Sequence, residues 1–270
     1  MASTLAIISS NKIDQRFALL RSTKRKALVC YVTSGYPSEA DCVELLHGLE
    51  AEGADVIEIG VPFSDPIADG PVIQRATERA LASGTTLAGV LDMLERVRPE
   101  LRAPFVIFSY ANPILRMGAE RFADRAKAAG VDGVLVLDLP IEEAAGFRNM
   151  LAARRIDTIL LLSPTTTDER LRKAASLGSG FLYAISRLGV TGARDRLADG
   201  AQEMVQRIRR VSDLPVALGF GISKPEHVRE VGRWADAAVV GSALVSVIAE
   251  AGASDDLDRR VEEYVRWLKS

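Results

Sequence analysis

ALVCYVTSGYPSEADCVELLHGLEAEGADVIEIGV (residues 27–61) reads as one complete unit of strand, helix and strand. ALVCYVT (27–33) and DVIEIGV (55–61) are almost continuously apolar rather than alternating. That pattern marks strands covered on both faces, as in a parallel sheet. Between them Cys42, Leu45, Leu46 and Leu49 fall at i, i+3, i+4 and i+7, one apolar stripe along a helix. Ser38 and Asp41 stand in capping-box spacing at its start, and Gly53 stops it.

The unit recurs. Six further apolar runs follow: PFVIFSY (104–110), GVLVLDL (133–139), DTILLLS (157–163), GFLYAIS (180–186), PVALGF (215–220) and DAAVVG (236–241). Ser223 and Glu226, with Pro225 between them, are expected to open another helix in the same capped way. A last helix is expected from about Asp256 to Leu268, with Leu257, Val261, Tyr264, Val265 and Leu268 on one side. Eight strands, each followed by a helix, in roughly 250 residues predict an α/β fold, a (β/α)8 TIM barrel with extra helices. A doubly wound open sheet is the alternative, but it rarely needs eight strict repeats, and no G-x-G-x-x-G follows the first strand. Two gaps are long. The first, between strands 2 and 3, has room for a turn-rich loop and two helices. The second, RLGVTGARDRLADG (187–200), is polar, glycine-bearing and long enough for a lid. No linker interrupts the series, so residues 1–270 read as a single domain.

Composition narrows the function class. The 270 residues are 48% hydrophobic and 26% charged, with a net charge of −2 and interspersed signs. No polybasic patch invites nucleic acid or an anionic membrane. MASTLAIISSNK has no basic residue before its short apolar run, unlike a signal peptide. The uncharged run from Ala237 to Ala249 is below spanning length and is split by Gly241 and Ser242. Cys30 and Cys42 sit in apolar surroundings without metal spacing, as buried thiols of a reducing compartment would. A cytoplasmic protein is expected. His47 and His227 fall on helices and read as structural or solvated.

Chemistry in such barrels sits at the C-terminal ends of the strands. Glu58 lies in the apolar run of strand 2, and Asp69 lies in the loop VPFSDPIADGP that follows. An unpartnered buried carboxyl raises its pKa, which suits an acid catalyst. The blander readings are an ion pair inside the barrel for Glu58 and a turn former in Ala-Asp-Gly-Pro for Asp69. Glycines cluster after the late strands, in GVTG (189–192), GFGIS (219–223) and GSAL (241–244). Glycine lets amides approach an anion, and a helix N-terminus adds partial positive charge. None of the three contains Lys or Arg, so a phosphate would be held by amides and the helix dipole. Tight βα turns need glycine anyway, yet the three together favour a phosphorylated small substrate.

IEIGVPFSDPIADGPVIQRA (57–76), SRLGVTGAR (186–194), GFGIS (219–223) and GSAL (241–244), in this order and spacing, closely resemble the tryptophan synthase α-subunit family. The resemblance runs from about Lys12 to the C-terminus. It implies a lyase of L-tryptophan biosynthesis that cleaves indole-3-glycerol phosphate by a retro-aldol reaction to indole and glyceraldehyde 3-phosphate. No cofactor or metal on this chain is implied. Glu58 and Asp69 match the family's catalytic acids. Glu58 would be buried and protonate indole C3; Asp69, in a polar setting, would stay ionised on the indole N–H. Tyr183 would stand beside Glu58, and Thr191 would close over the site onto Asp69. Gly192, Gly221, Gly241 and Ser242 would bind the phosphate. Phe17, Phe108, Leu135, Tyr183 and Phe220 would line the indole slot, Phe108 departing from the commoner Leu or Met. Asp138 and Asn112 would lie near the mouth, serving local hydrogen bonds.

The resemblance also implies a pyridoxal-phosphate-dependent β-subunit partner in an α2β2 tetramer, docked through Asp65 and the Asn112-Pro113 segment. Three alternatives differ in class: a stand-alone indole-releasing lyase, a non-catalytic regulatory subunit, and another phosphate-binding barrel. Intact Glu58 and Asp69 argue against the second, and the long strand 2 motif against the third.

Overall fold

The computed structural model describes residues 11–185, 200–219, 221–253 and 256–270. The expected lid, Thr191, Gly192 and Phe220 lie outside the described residues, apart from Gly200 at the lid's end.

Every apolar run becomes a strand: β1 (Ala27–Thr33), β2 (Val56–Gly60), β3 (Phe105–Ser109), β4 (Gly133–Val136), β5 (Asp157–Leu162), β6 (Leu182–Ile185), β7 (Val216–Gly219) and β8 (Ala237–Val240). All pair in parallel, in sequence order, and β8 returns to β1. The fold is the closed (β/α)8 barrel that the strand count predicts. Alternation within each strand explains the continuous apolar runs. Val29, Val56, Val106, Leu135, Ile159 and Tyr183 fill the interior. Leu28, Cys30, Val32, Ile57 and Ile107 face the outer helices. Cys30 and Cys42 are buried there, and desolvation pushes their thiols up to about 12 and about 11, so both stay protonated.

Twelve helices are described: α1 (Lys12–Ser22), α2 (Glu39–Ala51), α3 (Pro71–Ala82), α4 (Leu87–Val97), α5 (Ala111–Met117), α6 (Ala119–Ala128), α7 (Ala144–Ala152), α8 (Asp168–Leu177), α9 (Ala201–Arg209), α10 (Pro225–Val231), α11 (Ser242–Ala251) and α12 (Leu257–Leu268). The α2 cap forms as its spacing indicates: the Ser38 hydroxyl accepts the Asp41 N–H at 3.1 Å and donates to the Asp41 carboxylate at 2.7 Å. The α10 start corrects the sequence reading. Lys224 is the N-cap, without a side-chain cap bond, and the Ser223 amide donates instead to His227 Nδ1 at 3.3 Å. Pro225 at the first turn starts this helix without a capping box.

Helix α1 is not foreshadowed by any strong apolar stripe, yet it closes the N-terminal floor of the barrel. Asn11 pins it there. Its side-chain oxygen accepts the Ile13 and Asp14 amides at 2.9 and 3.2 Å, and its Nδ2 donates to the Asp132 carbonyl and the Asp157 carboxylate. Ile13 and Phe17 press upward, with the Phe17 ring 5.8 Å from Phe181.

A regular device trims the floor. Just before each even-numbered strand, a side chain caps an amide of the odd-numbered strand before it, and for β2, β4 and β8 it belongs to the residue directly preceding the strand. Asp55 accepts Leu28 N–H at 2.9 Å, Asp132 accepts Phe105 N–H at 3.1 Å, and Asp236 accepts Val216 N–H at 2.9 Å. Before β6 the Ser179 hydroxyl does the same for Thr158 at 3.0 Å. Each aspartate also faces an arginine: Arg16, Arg98 and Arg209 respectively. Asp132→Ala leaves the buried Phe105 amide without its acceptor and Arg98 without its carboxylate, and should lower unfolding free energy by about 2–3 kcal/mol. A urea titration with an unchanged midpoint would contradict this capping role.

Candidate active site

Glu58 is the central inward-facing residue of β2, directly between Tyr31 of β1 and Val106 of β3 in the strand register. It is fully buried, and neither carboxyl oxygen has a hydrogen-bond partner among the described residues. Desolvation alone raises its pKa to about 8. Among the described residues no ion pair forms at this carboxyl.

Space around Glu58 comes from pairing aromatics with glycines. A Cβ on Gly60 would fall 2.1 Å from the Tyr31 hydroxyl, and one on Gly219 would fall 2.4 Å from the Tyr183 hydroxyl. Both phenols therefore extend over glycines that lie beside them in the barrel wall. Tyr31 packs edge-on against Phe108, ring centroids 5.3 Å apart. The Glu58 charge acts on both tyrosines, and each phenol is held above its usual range chiefly by burial.

Asp69 arrives from the loop after β2. Its amide donates to the Pro66 carbonyl at 3.0 Å, closing a turn over residues 66–69, and Gly70 with Pro71 starts α3. Its environment is not the open polar one expected from a loop. The residue is only 5% exposed, and burial raises its pKa to about 6. Tyr110, at the end of β3, opposes that rise by donating from its hydroxyl to Asp69 Oδ2 at 3.3 Å. The same phenol oxygen accepts the Ala68 N–H at 3.0 Å, so it fixes the loop as well as the acid. The two acids still bracket neutral pH.

The remaining sequence-named residues divide. Leu135 and Tyr183 are buried in the barrel interior, and Phe108 is half-buried at its edge. Phe17 rises from the floor helix α1 and packs in the same interior cluster as Leu135 and Tyr183. Tyr31 is a further aromatic beside Glu58, on the same inward face of β1 as Ala27 and Val29. Leu137 and Leu161 also pack against the interior cluster, beside a cavity of about 330 Å³ at the ends of β4 and β5. Sequence reading passed over Tyr31, Tyr110, Leu137 and Leu161, although the two-residue period within each run marks all four as inward-facing.

Gly221 adopts φ +88°, a conformation that favours glycine, and Gly241 is the N-cap of α11 without any side-chain cap bond. The first amides of that helix, beginning with the buried Ser242, thus lack a side-chain acceptor at the cap. A Cβ on Gly241 would make only ordinary contact, 3.7 Å from Tyr31 Cβ. Asp138 accepts the Ala111 N–H at 2.6 Å, a local hydrogen bond as expected, and Asn112 is exposed in α5. His47 faces Glu100 on the surface, and His227 is buried in α10. Among the described residues no cluster of His, Cys, Asp and Glu could hold a metal ion, and no helix is long and apolar enough to cross a membrane.

Fold and site together define a (β/α)8 barrel with an acid pair at the end of the strands where this fold carries its chemistry. Residues 17–269 match the family described as tryptophan synthase alpha chain, and the chain belongs to that family. The tryptophan synthase alpha chain of Solibacter usitatus is 45% identical over 258 residues, covering 96% of this chain and 97% of the relative. The structure of Mycobacterium tuberculosis tryptophan synthase superposes with a TM-score of 0.89 at 36% identity, covering 96% and 97%. The tryptophan synthase α2β2 complex of Pyrococcus furiosus gives 0.84 at 40% identity, covering 90% and 97%. Membership makes this chain an α-subunit-type lyase of tryptophan biosynthesis.

Removing the Tyr110 hydroxyl should raise the Asp69 pKa further, because the donor favours the ionised form. Carboxyl NMR titration of Tyr110→Phe checks this; an unmoved Asp69 would show that the 3.3 Å bond carries no electrostatic weight.

Proposed function

We propose that the chain cleaves indole-3-glycerol phosphate to indole and glyceraldehyde 3-phosphate, with Glu58 and Asp69 as its catalytic groups. The observation that carries this reading is the fully buried Glu58 carboxyl, without a hydrogen-bond partner among the described residues, which acts together with Asp69 on the Tyr31 phenol. With a pKa near 8, Glu58 holds a proton at neutral pH and can give it to indole C3. With a pKa near 6, Asp69 is mostly ionised and can stabilise positive charge on the ring nitrogen. The side-chain hydroxyl then loses its proton as the bond to C3 breaks. The bonding pair returns to the ring, restoring neutral indole, and the oxygen becomes the aldehyde carbonyl. Glu58, ionised after its first transfer, is the base placed to accept that second proton.

The amides at Gly221, Gly241 and Ser242 would hold the phosphate, with the α11 N-terminus supplying the favourable dipole. Leu135, Tyr183 and Phe108 would wall the indole, with Tyr31 beside them. Phe17 would contribute only from beneath. The scheme draws on no cofactor or metal from this chain. Pyridoxal phosphate would belong to a β-subunit, partnered in an α2β2 assembly as in the Pyrococcus furiosus relative. Two exposed apolar side chains support that docking face: Ile67 at 79% after β2 and Leu115 at 68% after β3, beside Asp65 and Asn112-Pro113. A cytoplasmic location fits the reading.

Glu58→Gln should lose at least ~10²-fold in indole release, with and without β-subunit, the scale of a missing general acid. Near-parental turnover would overturn the assignment. In the parent, release should rise with pH through about 6 as Asp69 ionises and fall through about 8 as Glu58 loses its proton. Gly241→Ala should fold normally, since its Cβ meets only Tyr31 at 3.7 Å, yet bind inorganic phosphate and substrate more weakly. Unchanged affinity would remove Gly241 from the phosphate site.

A further inference from the structure

Resting on the retro-aldol reading, we infer that the Tyr31 hydroxyl is a catalytic hydrogen-bond donor to the substrate's reacting side-chain oxygen. Tyr31 is the register neighbour of Glu58 and is 5% exposed. Its phenol oxygen reaches past Glu58 towards the mouth: it lies over Gly60, two residues further along the same inward face of β2. Only the missing Cβ at Gly60 permits this reach, so the hydroxyl stands between the strand that carries Glu58 and the loop that carries Asp69. Both acids act on it electrostatically.

The hydrogen-bond pattern leaves this donor uncommitted. Thr33 donates to the Tyr31 oxygen at 3.5 Å, so the Tyr31 O–H proton has no acceptor among the described residues. A buried hydroxyl proton without an acceptor is costly. Burial and the neighbouring carboxylates also hold the phenol above its usual range, so it acts as a donor and not as a base. With indole C3 at Glu58 and the ring N–H at Asp69, the first atoms beyond C3 are the side-chain carbon and its hydroxyl. That oxygen must lie within reach of Glu58 to lose its proton, and the Tyr31 O–H is the adjacent donor. A bond from Tyr31 to its lone pair would turn the substrate O–H proton towards Glu58. The same bond would stabilise negative charge that builds on the oxygen as the proton leaves.

Tyr31→Phe keeps the ring against Phe108 and removes only the hydroxyl. The expected result is a fall in kcat of roughly 10- to 100-fold with KM little changed, the scale of one hydrogen bond made in the transition state. Affinity for indole-3-propyl phosphate, an analogue without side-chain hydroxyls, should not change, nor should the urea midpoint. Parental kcat would overturn the inference, and so would a loss of analogue affinity matching the loss of kcat, since the ring would then be serving only as wall. Glu58→Gln measured alongside separates the two levels. If Glu58→Gln keeps its turnover, the retro-aldol reading itself fails. If Glu58→Gln is inactive and Tyr31→Phe is not, only the Tyr31 role fails.

Discussion

The structure is organised around one unsatisfied group, the Glu58 carboxyl, sealed inside a barrel with neither oxygen hydrogen-bonded among the described residues. At about 1.4 kcal/mol per pKa unit, ionising it in place costs the fold several kcal/mol more than ionising it in water. Its folded pKa of about 8 exceeds the ordinary glutamate value of 4.5. The stability it contributes is full below its unfolded pKa and is lost as pH rises through about 8. A protonated Glu58 is therefore the native state at neutral pH, and a proton reserve is a property of the fold rather than of the substrate. Such a local violation of satisfied burial is the pattern expected where function, not stability, decides a residue.

The opposite end of the same barrel shows what satisfied acids look like. Asp55, Asp132 and Asp236 each receive a backbone amide and face an arginine. The floor is thus tied strand to strand by carboxylates, and α1 is pinned beneath it by Asn11. Near the mouth, tyrosines and glycines replace this network. Gly60 and Gly219 leave room for Tyr31 and Tyr183, so polar oxygens reach the centre without enclosing Glu58 in hydrogen bonds. Stability is concentrated at one end and chemistry at the other, the division typical of this fold.

Much of this was legible in the residue order. Continuous apolar runs separated by striped helices could only stack as a parallel sheet, and their number set the closure. Glu58 stood out because a carboxyl in such a run has no obvious partner. What failed to show was contact across the barrel. Asp69 read as polar because its loop is turn-rich; its burial and the Tyr110 hydroxyl that meets it, just past β3 and more than forty residues away, did not show. Phe17 was named a slot residue by the family resemblance; that helix α1 brings it into the interior from beneath did not show in the residue order. Tyr31 was hidden inside a run that reads as core, and only the strand register sets it beside Glu58. Ser223 had the spacing of a cap, yet its amide is drawn to His227 instead.

The central claim is that Glu58 carries a proton at neutral pH because none of the described residues compensates its charge. Isotope-edited infrared or carboxyl NMR titration of the labelled Glu58 side chain measures this directly, without substrate. A transition near pH 8 is the expected result. A carboxyl that is already ionised at pH 6 would mean that its charge is compensated after all, and would contradict the account.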